Sequence, residues 1–204
     1  MPMYQLPSST IISKPLYKKT VFEKFNLKAA ERERFDADIN RMMLVARVSP
    51  STVPALAEGE DIKGFYVLQV ILKQRDYDVK NILLLQKLIP QKIVFALQYE
   101  EQTQLCIFHT RLQQSEWQSN NDTAIPLQGL TLDAIWNNLV ITIGGLDVKS
   151  EESIEEQIIN REVHEKLLRQ IEALEKRCKL EKQTRRKYEL HQKLQELKLK
   201  IKQV

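Results

Sequence analysis

Glycine is scarce in this sequence, with five residues among 204. None of them has the spacing of a Walker loop or a dinucleotide-binding turn, since both motifs place several glycines in one short segment. The two cysteines, Cys106 and Cys178, are too few and too far apart for a disulfide framework or a Cys-x-x-Cys metal site. The sequence therefore predicts neither a phosphate-binding loop nor a structural metal, and no cofactor is expected.

Catalytic motifs are missing as well. The three histidines, His109, His164 and His191, form no i, i+4 pair that would hold a metal ion on one helix face. No serine lies in a Gly-x-Ser-x-Gly elbow. No apolar stretch approaches the ~20 residues that span a bilayer, and the N-terminal residues lack the apolar segment of a signal peptide. These absences favour a cytoplasmic protein without a recognisable catalytic centre.

The N-terminal quarter predicts an arm followed by a helix. Residues 1–20 hold three prolines and several Ser and Thr residues, which is typical of an extended segment. Residues 21–48 show helical periodicity, and Asn26 is a candidate N-cap. The apolar residues at steps of three and four are Phe35, Ile39, Met42, Met43 and Ala46. A short strand is predicted near Thr52–Leu56.

The central segments predict a small sheet. "FYVLQVILKQ" and "KIVFALQYE" are nearly continuous in apolar and β-branched residues, and "DYDVKNILLLQKLIP" between them predicts a helix. This order indicates a right-handed parallel crossover, and "QLCIFHTRL" then follows closely enough to form a hairpin. A short helix is predicted to begin near Thr131 and to end at Gly144 and Gly145. The expected fold is α+β or α/β, with a small mixed sheet and flanking helices over residues 21–145.

The last quarter contains neither glycine nor proline and is rich in strong helix formers. Residues 146–204 are therefore predicted to form a helical, coiled-coil tail. Its a/d-type apolar positions, the predicted partner-binding residues, are Leu167, Ile171, Leu174, Leu190, Leu194, Leu197 and Ile201. These positions form two stripes, one from Leu167 to Leu174 and one from Leu190 to Ile201. Between the two stripes the a/d repeat is shifted by about two residues, which turns the second stripe to nearly the opposite face of a continuous helix. Either the helix breaks into a hairpin near Thr184–Tyr188, or each block meets a different partner.

Basic residues accumulate in the tail. Lys182, Arg185, Arg186 and Lys187 lie between the two apolar blocks, whereas the start of the tail is acidic. In one continuous helix this order suits the helix dipole, so an ordinary solvated helix explains it. The alternatives are a stripe that contacts nucleic-acid phosphates or an acidic protein, and an amphipathic membrane-surface helix. The tail lacks the Trp and Phe residues typical of a membrane interface, so no membrane partner is expected.

One strand end raises the possibility of a nuclease. Lys73 ends "YVLQVILK" as the lysine of a Glu-x-Lys nuclease motif would, but Ile71 occupies the position of the metal-binding carboxylate. Glu58, Glu60 and Asp61 are the candidate upstream acids. A degenerate restriction-nuclease-like core remains a hypothesis for the fold, while an active site of that type is not favoured. Trp117 is predicted to anchor its loop on the core.

Several of these segments together resemble a bacterial family known only as a domain of unknown function. The landmarks are "RVSPSTV", "YVLQVILK", "LIPQKIVFALQY" and "SEW", followed by a short helix and a charged helical tail. The resemblance implies genes that often lie beside helicases and DNA methyltransferases of restriction-like, phage-defence systems. It implies no catalytic residue.

These observations lead to one expectation and two alternatives. The chain is expected to be a non-catalytic accessory or scaffolding subunit of a DNA-acting complex. Its tail would bind a helicase-like protein or a second copy, which gives an oligomer or a hetero-complex. The alternatives are a divergent metal-dependent nuclease and a nucleic-acid-binding protein that uses Lys182, Arg185, Arg186 and Lys187.

Overall fold

The computed structural model describes residues 3–147 and 152–201, which fall into two compact units on either side of the gap. Residues 3–147 form the first unit, an α/β unit with seven strands and four α-helices. In chain order these are β1 (Ile11–Leu16), α1 (Lys18–Lys24), α2 (Ala29–Asp38), β2 (Ile39–Val48), β3 (Phe65–Leu72), α3 (Val79–Leu88), β4 (Lys92–Tyr99), β5 (Gln102–Phe108), β6 (Leu112–Gln114), β7 (Gln118–Ser119) and α4 (Leu132–Gly144).

The strands form one mixed and mostly antiparallel sheet in the order β1-β2-β3-β4-β5-β6, with β7 added beside β5. Strands β3 and β4 are parallel and are joined by α3, so the parallel pairing and the crossover helix are confirmed, while the right-handedness of the connection stays a prediction. The predicted hairpin of β4 and β5 is confirmed too, and Tyr99 pairs with Gln102 at its turn. The expectation of a small mixed sheet with flanking helices is therefore confirmed.

The predicted helix over residues 21–48 is wrong in its second half. Helix α2 ends at Asp38, and Ile39, Met42, Met43 and Ala46 lie in strand β2. The register of β2 on β3 shifts twice, between Ile39 and Arg41 and between Leu44 and Ala46. Each shift moves the following side chains to the other face, so a bulged strand reproduces the steps of three and four that normally indicate a helix.

Two further local predictions fail. Asn26 does not cap a helix; it has a positive φ of 48° in the turn before α2, whose N-cap is Lys28. Residues 52–56 form turns instead of a strand. The predicted extended N-terminal arm is confirmed only in part: Met3–Gln5 and Ser8–Thr10 are short 3₁₀ helices and α1 begins at Lys18, whereas Ile11–Leu16 is extended and pairs with β2 as the edge strand of the sheet. Pro15 is tolerated there because an edge strand leaves some of its N–H groups unpaired.

The sheet is covered on both faces. On one face, Phe35 of α2 and Leu85 of α3 pack in a cluster with Leu68 and Phe95 of the sheet. On the other face, Trp136 of α4 packs against Phe65. Helix α4 confirms its prediction: the Thr131 hydroxyl accepts a hydrogen bond from the Ala134 N–H at 3.2 Å, and Gly145 ends the helix in the left-handed region.

The second unit, residues 152–201, is a helical hairpin. It contains α5 (Ile154–Leu180) and α6 (Thr184–Lys200). Ser153 and Glu156 form a capping box that fixes the start of α5. The chain breaks at residues 181–183, just before the predicted place, and α6 packs back on α5. The break matches one of the two alternatives that the phase slip left open. The long coiled-coil tail predicted over residues 146–204 is not shown, because the described part of it is two shorter helices that pack on each other. None of the described helices is long and apolar enough to cross a membrane.

Candidate functional site

The two apolar stripes of the tail lie within the hairpin. Ile171 of α5 and Leu194 of α6 are buried, at 7% and 6% exposure. The other predicted partner-binding residues are half-buried, namely Leu167, Leu174, Leu190, Leu197 and Ile201. Lys198 Nζ lies 2.7 Å from Glu175 Oε1, and the Cys178 thiol donates a hydrogen bond to the Lys187 carbonyl at 3.8 Å. The two stripes therefore face the contact between α5 and α6.

Other apolar side chains of the hairpin point outwards. Leu168 of α5 and Leu199 of α6 are exposed, and Leu180 and Tyr188 are exposed on either side of the break. Sequence periodicity did not select these residues, because they fall outside the a/d pattern. Together with Ile159 and Val163 of α5, they are the exposed large apolar side chains of the closed hairpin.

The four predicted nucleic-acid-binding residues lie together at the turn of the hairpin, here called the basic tip. Lys182 is in the break, and Arg185, Arg186 and Lys187 are in the first turn of α6. All four are exposed. Arg185 pairs with Glu189 at 3.7 Å, and the other three make no ion pair within the described residues.

The basic tip conflicts with the dipole of its helix. A helix N-terminus carries a partial positive charge, so cations in the first turn destabilise it. The first turn of α6 contains no acidic residue, and its N-cap Gln183 makes no side-chain capping bond. The dipole argument for an ordinary solvated helix assumed one continuous rod. With the break at residues 181–183, the same cations lie at a helix start, where they are unfavourable.

A second polar cluster lies where β3 ends and α2 meets the sheet. Lys73 follows β3, and its ammonium lies 3.3 Å from Asp36 Oδ2. Lys18 makes a closer ion pair with the same carboxylate. Lys18 first, and then Lys73, hold the pKa of Asp36 below its usual value. Lys73 therefore has an acidic partner, which comes from α2 and not from the predicted Glu58, Glu60 or Asp61.

Asp38 lies two residues further on and is buried at 5% exposure. Its Oδ1 accepts a hydrogen bond from Gln74 Nε2 at 2.7 Å. Its Oδ2 accepts from the Asp78 N–H at 2.8 Å and from Asn81 Nδ2 at 2.7 Å. Both oxygens are occupied by donors of the chain itself, so this carboxylate holds the start of α3 against the end of β3.

The predicted upstream acids lie elsewhere in the unit. The N–H groups of Glu60 and Asp61 donate to Asp133 Oδ2 at the start of α4, at 2.6 and 3.4 Å. Ile71 pairs with Gln98 of β4 in the sheet. Over residues 3–147 and 152–201, no group of three or more His, Cys, Asp or Glu side chains has the arrangement of a metal site.

Trp117 lies beside the same strand end. Its ring packs on the core cluster, half-buried, and the Arg75 guanidinium lies 5.5 Å above it. This placement confirms the predicted anchor. Nearby, Tyr77 donates a hydrogen bond to Gln104 Oε1 at 2.8 Å, and burial raises the pKa of its hydroxyl. Burial also raises the pKa of the Cys106 thiol to about 12, which makes it a poor nucleophile.

Comparison with known proteins gives one match. A family model described as a domain of unknown function, DUF4391, matches residues 5–201. No curated protein and no solved structure matches the chain. The match extends over both units, including the β1 edge strand and the helical hairpin. The resemblance seen in the sequence is confirmed at this level, and the chain belongs to the DUF4391 family.

Proposed function

We propose that this chain is a non-catalytic accessory subunit of a bacterial DNA-acting complex of the restriction-like or phage-defence kind. The hairpin contacts a protein partner, which is a helicase-type protein or a second copy of the chain. The basic tip holds nucleic acid next to that partner. The α/β unit carries the hairpin.

The observation that carries the proposal is the basic tip. Three cations occupy the first turn of α6, where they oppose the helix dipole and lack a capping side chain. A local arrangement that costs stability is expected where a sequence serves binding. A row of phosphates would offset the repulsion, and the exposed Tyr188 ring beside it offers a surface for base stacking.

Salt dependence of nucleic-acid binding tests the basic tip. The triple variant Arg185→Ala, Arg186→Ala, Lys187→Ala should bind DNA more weakly and reduce the slope of log K against log salt by about two to three, since each phosphate contact contributes ~0.9. The matched control is Lys166→Ala, Arg169→Ala, Lys193→Ala, which removes the same charge and also breaks one i, i+4 ion pair. Equal slopes for the two triple variants would count against the basic tip.

The protein partner can meet the hairpin in two ways. In the closed hairpin, the exposed residues Leu168, Leu180, Tyr188 and Leu199 form the contact. In an exchanged form, α6 packs on α5 of a second copy, and the seven predicted partner-binding residues form a coiled coil between chains. The first way leaves the hairpin as it is, whereas the second requires it to open.

Cross-linking distinguishes these two ways. Carbodiimide joins ammonium and carboxylate groups that form an ion pair, and Lys198 and Glu175 meet that condition. In a mixture of 14N- and 15N-labelled protein, a closed hairpin gives cross-linked peptides with a single label, whereas exchange gives mixed labels. Loss of the co-purified partner on removal of residues after Gly145 supports the accessory role. A partner retained by that shortened chain contradicts it.

The rival function is a divergent metal-dependent nuclease. The proximity of Lys73 and Asp36 favours it, because a lysine beside a carboxylate at a strand end is the arrangement such enzymes use. Purified protein with labelled DNA and Mg²⁺ or Mn²⁺ tests it. Cleavage that is lost in both Asp36→Asn and Lys73→Ala would replace the accessory proposal.

A further inference from the structure

A neutral, amide-rich pocket opens in the α/β unit, on the side of the sheet opposite α3. It is a cavity of about 280 Å³ near the carboxyl ends of the parallel strands β3 and β4. The residues that carry the argument, here called the amide pocket, are Tyr4, Gln69, Gln98, Thr103, Asn120 and Asn121. None of the described residues that line the cavity is charged.

The amides of the pocket are held in fixed orientations. Gln69 Nε2 donates to Gln98 Oε1 at 2.8 Å. Thr103 Oγ1 donates to Asn120 Oδ1 at 2.6 Å, and Asn120 Nδ2 donates to the Glu100 carbonyl at 3.2 Å. Gln98 Nε2 also donates to the Glu100 carbonyl at 3.4 Å, and Gln69 shares a hydrogen bond with the Tyr4 hydroxyl. A primary amide has two donors and an oxygen with two lone pairs, so part of the hydrogen-bonding capacity is still left for a ligand. The Asn121 side chain is exposed and makes no hydrogen bond within the described residues.

Unusual backbone conformations gather around the same pocket. Positive φ occurs at four non-glycine residues of the described chain, and two of them line the pocket, Tyr4 at 54° and Gln5 at 57°. A third, Glu100 at 51°, lies in the turn between β4 and β5, and its carbonyl accepts the Asn120 amide. Two consecutive left-handed residues bring the Tyr4 ring to the wall of the cavity, where it is 8% exposed. Such conformations cost free energy and are found more often at ligand sites than elsewhere.

We propose that the amide pocket binds a nucleobase. A base is flat, uncharged and edged with alternating donors and acceptors, and asparagine and glutamine amides pair with such edges through two hydrogen bonds. The cavity is slightly smaller than the ~300 Å³ at which drug-sized pockets begin, so it suits one base and leaves a sugar and phosphate outside. The base comes from a free nucleoside or from an unstacked residue of a single strand. This inference does not rest on the basic tip.

Titration of the 15N-labelled full-length protein tests the pocket. Adenosine, guanosine, cytidine and thymidine are added separately, with ribose 5-phosphate as the control that lacks a base. The expected result is a saturable shift of the side-chain amide signals of Gln69, Gln98, Asn120 and Asn121 with at least one nucleoside. The proposal is overturned if no nucleoside shifts them, or if ribose 5-phosphate shifts them equally.

A pair of variants distinguishes nucleoside binding in the pocket from the effect of an Asn→Ala change elsewhere on the surface. Asn121→Ala removes one exposed amide from the pocket and should weaken nucleoside binding about threefold to tenfold, the usual effect of one hydrogen bond. Asn137→Ala makes the same change at an exposed position of α4 and should leave the affinity unchanged. Equal affinities of the two variants contradict the proposal.

A third experiment identifies whether the base comes from a free nucleoside or from a single strand. A short single strand and the same strand with one abasic position are compared in the Arg185→Ala, Arg186→Ala, Lys187→Ala background, so that the basic tip does not obscure the result. Weaker pocket shifts with the abasic strand support the pocket and assign it to a strand. Nucleoside shifts without any strand-induced shift support the pocket and assign it to free nucleosides.

Discussion

The Lys73 ammonium lies 3.3 Å from Asp36 Oδ2 and links the end of β3 to the last turn of α2. Asp38, two residues along the chain, accepts three hydrogen bonds from uncharged donors and is buried. Neighbouring carboxylates of one short segment therefore have different roles. Asp36 is paired with cations at the surface, and Asp38 fastens α3 to the sheet.

The ion pairs of Asp36 should give a small contribution to stability that depends on pH. Because the folded-state pKa is lowered, the contribution is complete above the unfolded carboxyl pKa of ~3.9 and is lost as the pH falls through the lower folded value. Asp36→Asn should reduce the free energy of unfolding by less than about 1 kcal/mol at pH 7, since the pair is exposed. Urea unfolding should show the stabilities of the two proteins converging as the pH falls below the unfolded carboxyl pKa of ~3.9. Glu33→Gln, an exposed neighbour on α2, is the control.

Asp38 should matter far more to stability. Asp38→Asn keeps one acceptor oxygen and replaces the other by an NH2 donor, so at least one of the three donors, Gln74 Nε2, the Asp78 N–H or Asn81 Nδ2, loses its partner, and the remaining bonds lose the charge of the acceptor. We expect the free energy of unfolding to fall by about 3 kcal/mol at neutral pH. Asp76→Asn, an exposed control in the loop between β3 and α3 that Asp38 contacts, should change it by less than ~0.5 kcal/mol. A change at Asp38 no larger than at Asp76 would show that its hydrogen bonds do not hold α3.

The elements that could be predicted from the sequence are those defined by residues close together in the chain. Strands β3, β4 and β5 are continuous apolar runs, and α4 has its Thr131 cap and Gly145 stop in the sequence. The phase of the two stripes left a hairpin break as one of two alternatives, and the structure shows the break. Strand β2 was missed because its two bulges imitate a helical period. One neglected signal was the pair Asp36 and Asp38, since acidic residues oppose the dipole at a helix C-terminus and so mark the end of α2.

The sites were harder to predict because they join distant parts of the chain. Asp38 and Asn81 meet only when α2 and α3 pack on the same face of the sheet. The amide pocket likewise combines Tyr4, Gln69 and Asn120 from three separate segments. Isolated Asn and Gln residues carry no periodicity, and only the paired strands show that their amides converge.

The two cysteines should differ in reactivity. Cys106 is fully buried in β5, and burial raises the pKa of its thiol to about 12, so almost no thiolate exists at pH 8. Cys178 is partly exposed on α5. Iodoacetamide at pH 8 should therefore modify Cys178 within minutes and leave Cys106 unmodified until the protein is denatured. Peptide mass spectrometry reads both sites, and early modification of Cys106 would contradict its burial.

A charge reversal in the basic tip should stabilise the hairpin while it weakens binding. Arg186 is exposed in the first turn of α6 and makes no ion pair within the described residues. Arg186→Glu places a negative charge at the positive end of the helix dipole, which should add about 0.3–1 kcal/mol to the local stability of α6. The same change at Lys200, in the last turn, should lower the local stability of α6 by a similar amount.

Hydrogen exchange of the α6 amides measures both changes in stability. DNA binding should fall more for Arg186→Glu than for Lys200→Glu. If Arg186→Glu lowers amide protection, the cations at the start of α6 are not the unfavourable feature on which the proposed function depends.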